Sequence, residues 1–145
     1  MKSPREESIG AQMAIALQLM KRKNHHAIAD AGVKITMEQL AILEVLSHHG
    51  DMNMTELSNK TWKQNANITR IIDKLETQKL VARKPVVGDR RAYLLGITEN
   101  GQQLFNQVIP MIILNHQDVT SCLTEEEESI TIRSMIKIIK HLSDG

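Results

Sequence analysis

Three things are scarce in this chain of 145 residues, and each scarcity excludes something. There is one Trp, one Tyr and one Phe, so aromatics make up only 2%. Binding of single strands or RNA by base stacking needs aromatic platforms, and this chain has too few. There is one cysteine, Cys122, which excludes an intrachain disulfide and a thiolate-cluster zinc site. No apolar run approaches the roughly 20 residues needed to span a bilayer. The first residues carry no apolar h-region, so no signal peptide is expected and the expected location is the cytoplasm. No Ser-His-Asp or Cys-His spacing, Gly-rich phosphate loop or paired-carboxylate motif is present. The sequence therefore predicts neither an enzyme nor a cofactor.

What is present is enough to build a core. The hydrophobic fraction is 41%, which supports a packed domain rather than a disordered chain. Net charge is +1, but it is unevenly spread. Between Lys60 and Arg91 stand nine basic and three acidic residues, a net +6, leaving −5 for the rest. A basic block in an acidic chain resembles a phosphate-facing surface, although a solvated charged face would carry the same residues.

The spacing predicts a helix from Ile9 to about Ala29, with Ile9, Met13, Ala16, Leu17 and Met20 at helical intervals. Thr36 caps a second helix, Gln39 completes a capping box, and Gly50 ends it. Asn53 caps a short third helix to about Thr61, with Glu56 at the reciprocal position. A fourth runs from about Asn65 to Gln78. The period then drops from 3.6 to about 2. Leu80–Val87 and Ala92–Ile97 read as a hairpin with Gly88–Arg91 as its turn, and Pro85 fits an edge position. Thr98 caps a long helix to about Asp118, with Pro110 as a kink. Thr124 and Glu127 form another capping box, and Glu125–Glu128 set negative charge on the positive end of the last helix. The fold class is mainly α with a small β-hairpin, which must pack on helices to be stable.

The third and fourth helices are joined by three or four residues, the length used in a helix-turn-helix. On the fourth, Ile68, Ile71, Ile72 and Leu75 form one apolar face. Ala66, Arg70, Asp73, Lys74 and Thr77 lie opposite, with Asn67 and Thr69 on the flanks. Such a division suits a helix fixed by one face that enters the major groove with the other. Gln64, Asn65 and Asn67 carry amides that can read base edges, and Arg70 can bond guanine bidentately. Thr69 and Lys74 complete the candidate contacts on this helix. An ordinary amphipathic surface helix would look the same, so the hairpin decides. Its tip holds Arg90 and Arg91, a residue type that enters narrowed minor grooves. Asp89 would support this wing by bonding an arginine guanidinium.

The run Asp89-Arg90-Arg91-Ala92-Tyr93-Leu94-Leu95-Gly96-Ile97-Thr98 fits the pattern D-x-R-x-x-x-L-x-[IVL]-T. Thr69-Arg70-Ile71-Ile72-Asp73-Lys74-Leu75-Glu76 fits T-R-x-x-D-x-L-E, and Leu80-Val81 with Arg83 matches the entry to the wing. With these motifs the chain resembles the MarR family of bacterial transcriptional regulators, over nearly its whole length and most densely from Leu57 to Thr98. The resemblance implies a winged helix-turn-helix lobe at residues 35–98 and a helical dimerisation region at 1–34 and 99–145. It implies a homodimeric regulator of double-stranded DNA, more often a repressor. The operator would be palindromic, read by two recognition helices about 34 Å apart. It also implies a small effector, often phenolic or anionic, bound between the dimer helices and the lobe and weakening operator binding. Independently, apolar residues of the last helix spread beyond one narrow stripe, predicting two partners: its own core and a second subunit. Three positions depart from the family pattern. Lys79 replaces the usual Gly after the recognition helix, where a left-handed cap would be strained. Trp62-Lys63 replaces Gly and an apolar residue, with Trp62 expected in the core. Gln64 stands where a small cap such as Ser is common.

The six histidines include two adjacent pairs, and helical neighbours point about 100° apart, so no metal site is expected. Cys122 reads as a buried or inert thiol. Two alternatives stand beside the main reading. One is a redox- or metal-sensing regulator on the same scaffold. The other is a winged-helix protein–protein adaptor without DNA binding, against which the basic block and the intact wing speak.

Overall fold

The computed structural model describes every residue except Lys2, Pro4, Arg5 and Trp62–Gln64, and no side chain is described for Asn65 or Ala66. The order is α1 (Ile9–Asp30), α2 (Met37–His49), α3 (Met54–Thr61), α4 (Asn65–Thr77), β1 (Val81–Val86), β2 (Asp89–Ile97), α5 (Glu99–Thr120) and α6 (Glu125–Ser143). The local caps are those the sequence predicts. Thr36 Oγ1 accepts the Gln39 amide at 3.1 Å while Gln39 Oε1 accepts the Thr36 amide at 3.0 Å. Thr98 Oγ1 accepts the Gly101 amide at 3.0 Å. Thr124 and Glu127 form the reciprocal box, and bonding to Thr124 holds the Glu127 carboxyl below its ordinary pKa. Asn53 differs slightly: its Oδ1 accepts the Glu56 amide, and its own side-chain Nδ2 donates to the Glu56 carboxylate.

The core lies in the middle of the chain. Ile42, Leu43 and Leu46 from α2, Leu57 from α3, Ile68, Ile72 and Leu75 from α4, Leu95 from β2 and Val108 from α5 are essentially inaccessible. Each such side chain stabilises the fold by roughly 1.5–3 kcal/mol through burial. The β-sheet is a two-stranded antiparallel hairpin. Beside it Met52 makes one bridge to Leu95, in both directions at 3.1 and 2.8 Å. The sequence reading missed that bridge, since a single paired residue has no periodicity.

The outer helices are a different case. α1 packs chiefly on α5 and is tied to it by the Lys23–Asp118 ion pair. Its apolar Ile9, Ile15, Leu17 and Leu19 are nevertheless exposed. α5 runs through Pro110, whose missing amide leaves the carbonyl of solvent-exposed Asn106 to water. α6 buries no residue at all, and Ile130, Ile132, Ile136, Ile139 and Leu142 face solvent. Of the stripe expected to pack on its own core, Met135 and Ile138 are half-buried and none is fully covered.

The end of α4 explains how a lysine takes a position that favours glycine. Lys79 has φ 60, the left-handed region. The Leu80 amide donates to Leu75 O and the Lys79 amide to Glu76 O, both at 2.9 Å, which together make a Schellman motif. Leu75 and Leu80 are both buried at its hydrophobic contact. These bonds hold the strained residue in place at a cost of about 1 kcal/mol. Lys79→Gly is therefore expected to raise stability by about 0.5–1 kcal/mol. Chemical denaturation would show it as a higher midpoint with an unchanged slope; a lower midpoint would refute it.

Candidate DNA-binding surface

The fold presents α4 as the sequence reading expects. Ile68, Ile71, Ile72 and Leu75 are at most 4% exposed, so one face is fully committed to the core. Asn67, Thr69, Arg70, Asp73, Lys74 and Thr77 are exposed on the remaining surface. Gln64 lies outside the described residues, as do Trp62 and Lys63, and with them the expected core role of Trp62 and the cap at Gln64. Asn65 opens α4, with its side chain not described.

The wing departs from expectation in its turn. The sequence reading set the turn at Gly88–Arg91; in the structure only Val87 and Gly88 lie outside the strands, and Gly88 takes φ 86. A two-residue connection needs this positive φ, which glycine adopts without steric cost. Asp89, Arg90 and Arg91 therefore belong to β2. The register explains their display. Pro85 pairs with Tyr93 but Val86 pairs with Asp89, so Arg90, Arg91 and Ala92 face no partner on β1. Pro85 stands at a non-hydrogen-bonded position of the pair, where its missing amide faces the open edge, and the irregularity falls directly after it. Such bulges re-aim side chains. Both arginines are exposed.

Asp89 acts on the main chain. Its Oδ1 accepts the Arg91 amide at 3.0 Å. The expected bond to a guanidinium is absent among the described residues; the carboxylate bonds instead to the main chain two places on.

Not every cation in the basic block faces outward to a ligand. Arg83 Nε donates to Glu76 at 2.7 Å and its Nη2 to Asp73 at 3.0 Å. Its guanidinium also lies 4.8 Å from the centre of the Tyr93 ring. Lys84 Nζ donates to Asp51 at 2.8 Å. Exposed pairs of this kind add at most about 1 kcal/mol each, so their effect is orientation more than stability. Arg83 fastens the wing strand to α4, and Lys84 fastens it to the turn before α3. Neither partnership could be read from local spacing. Lys60, Arg70, Lys74, Lys79, Arg90 and Arg91 remain exposed and unpaired with an acid among the described residues. They lie on α3, on α4 and its end, and on the wing.

Elsewhere, a cavity of about 370 Å³ opens between α2 and α5, walled by Met37, Leu40, Phe105, Ile109 and Ile112 with Glu44, His48 and His116 at its polar side. The His48 ring meets Phe105 edge-on, centroids 6.1 Å apart. Among the described residues no three His, Cys, Asp or Glu gather as a metal site, and Cys122 is exposed. No helix there is long and apolar enough to cross a membrane.

Comparison with known proteins agrees with this geometry. The MarR family model matches residues 35–93. The HTH-type transcriptional regulator MhqR of Bacillus subtilis is 36% identical over 89 residues, a match spanning about three fifths (61%) of each chain. The HTH-type transcriptional regulator YsmB of the same organism, uncharacterized, is 30% identical over 104 residues, covering 72% of this chain and 71% of its own. Among solved structures, a mutant of MarR from E. coli complexed with operator DNA superposes with TM-score 0.82 at 23% identity, covering 95% and 99% of the two chains. Bordetella bronchiseptica BpsR, described as regulated in DNA binding by 6-hydroxynicotinic acid, gives 0.84 at 22% identity, covering 100% and 99%.

Proposed function

This chain belongs to the MarR family of transcriptional regulators, and we propose that it is a homodimeric repressor that grips a palindromic operator and is released by a small molecule. The observation that carries the DNA reading is the pairing of α4's exposed polar face with two bulged wing arginines on one rigid lobe. Asn67, Thr69, Arg70 and Lys74, with Asn65 at the start of the helix and Gln64 just before it in the sequence, read the major groove. Arg90 and Arg91 reach the minor groove or its phosphates, with Asp89 supporting them. Residues 35–98 form the reading lobe, and residues 1–34 and 99–145 the dimerisation region. Support for dimerisation comes from the unburied apolar residues of α1 and α6. Support for an effector comes from the cavity between α2 and α5, where the lobe meets a helix of the dimerisation region. Its apolar walls and two histidines suit a small aromatic or anionic molecule. The protein would act in the cytoplasm, where the operator is.

Fluorescence anisotropy with DNA flanking its own gene tests the reading. No binding at low salt by a folded protein would overturn it. Arg70→Ala is expected to lose about 1–3 kcal/mol of operator affinity and to relax preference at one base pair. Arg91→Ala is expected to weaken all sequences alike and to flatten the salt dependence by about one unit of log–log slope. Unchanged affinity in both variants would mean that another surface binds.

A further inference from the structure

We infer that Gln39 and Gln78 are positioning residues for operator recognition: their side-chain pair sets the tilt of α4 against the helices α1 and α5. The inference rests on the reading of α4 as the recognition helix.

The relay is directional. Gln39 is 5% exposed, and its Oε1 is committed to the Thr36 amide in the capping box. Its Nε2 must then find an acceptor or remain a buried unpaired donor, at a cost of about 1–3 kcal/mol. The acceptor is Gln78 Oε1 at 3.0 Å. That fixes the Gln78 amide in turn, and its Nε2 donates to Lys34 O at 3.0 Å. Lys34 lies in the short segment between α1 and α2. One surface side chain at the end of α4 is thus clasped to both the exit of α1 and the first turn of α2.

The same end of α4 is held from the other side. Thr98 Oγ1 donates to Lys79 O at 2.7 Å, and the Thr98 amide donates to Leu80 O at 3.0 Å. Thr98 caps α5. The segments leading from α1 and into α5 therefore both grip the main chain or side chains of residues 78–80. Any displacement of those helices reaches α4 here first.

Core packing of Ile68, Ile71, Ile72 and Leu75 anchors the length of α4. At its end the surface is open: one shallow groove flanks Gln39 and Gln78 between α2 and α4, and another runs beside Lys34, Gln78 and Leu80. There the two hydrogen bonds add the polar hold that fixes the end of the helix. Gln78 is itself exposed, so its loss leaves the core intact.

Gln78→Met keeps the length of the side chain and removes both bonds; Gln78→Glu keeps the acceptor for Gln39 and loses the donor to Lys34. Anisotropy would compare the operator segment with a shuffled duplex of the same length, alongside thermal melting. The expected result for Gln78→Met is about a tenfold fall in the specific-to-shuffled affinity ratio, on the scale of one misread base pair. Its affinity for the shuffled duplex should match the wild type, while its melting temperature should fall by a few degrees because the buried Gln39 amide loses its acceptor. Gln78→Glu should recover part of the ratio. A ratio in Gln78→Met equal to that of the wild type would overturn the inference alone. A parallel fall on both duplexes would also overturn it, as the mark of a merely structural role. A wild-type protein with no operator preference would overturn the reading of α4 itself, and this inference with it.

Discussion

Gly101→Ala is expected to lower stability by about 3 kcal/mol and the melting temperature by about 10 °C, although alanine is the better helix former. Gly101 is the third residue of α5, and it is buried. A methyl group there would collide with the carbonyl oxygen of Leu80 and stand 2.9 Å from Ile97 Cγ1. The carbonyl cannot step aside, because it already accepts the Thr98 amide, and the preceding carbonyl of Lys79 accepts the Thr98 hydroxyl. Helix propensity favours alanine by about 1 kcal/mol, so backbone collision decides the sign. Gly96 makes a useful control. An added methyl there meets the side-chain ends of Asp51 and Lys84, which can swing away, so Gly96→Ala should cost far less. Thermal melts of the two variants test the argument, and a Gly101→Ala protein as stable as the wild type would refute it.

A paired substitution of Ile132 and Ile139 by Asp should give the second large effect. These residues are 52% and 48% exposed and share a face of α6 with Ile136. No part of the lobe packs on α6 well enough to bury any of its residues, so charge placed there should not unfold the lobe. If the face pairs two copies, the variant should sediment as a monomer. Operator affinity should fall by about 10²–10⁴, because the second half-site no longer binds as part of the same molecule. A variant that stays dimeric, or a wild-type protein that is monomeric in solution, would refute the pairing.

What could be read from the sequence was what local chemistry decides. Thr36 with Gln39, Thr98, and Thr124 with Glu127 announce their helices because a cap needs one side chain at one spacing. The apolar face of α4 announces itself by periodicity. Errors arose where distant residues decide. The turn was set too wide because Asp89 and the arginines look like turn residues, and the bulge after Pro85 depends on the register of the opposite strand. Arg83 counts toward the basic block in the sequence, and its ties to Asp73 and Glu76 are hidden because those acids stand seven or more positions away. The Gln39–Gln78 bond spans 39 positions and has no motif. The candidate base-reading residues from Asn65 to Lys74 were legible because a single helix carries them; the ties that aim that helix were not.

The Pro85 irregularity has a bearing on solubility. β2 is flanked by β1 on one side and meets Met52 on the other, so the outer rim of β1 is left open. An open rim can recruit a strand from another molecule and start an aggregate. Here the rim carries Arg83, Lys84 and Pro85 in succession. Arg83 and Lys84 are tied to acids of their own chain, so it is the proline, which cannot offer an amide to an incoming strand, that closes this rim. The residue at the wing's irregularity thus hinders concentrated molecules from joining sheet to sheet, and Pro85→Val should make the protein more prone to precipitate.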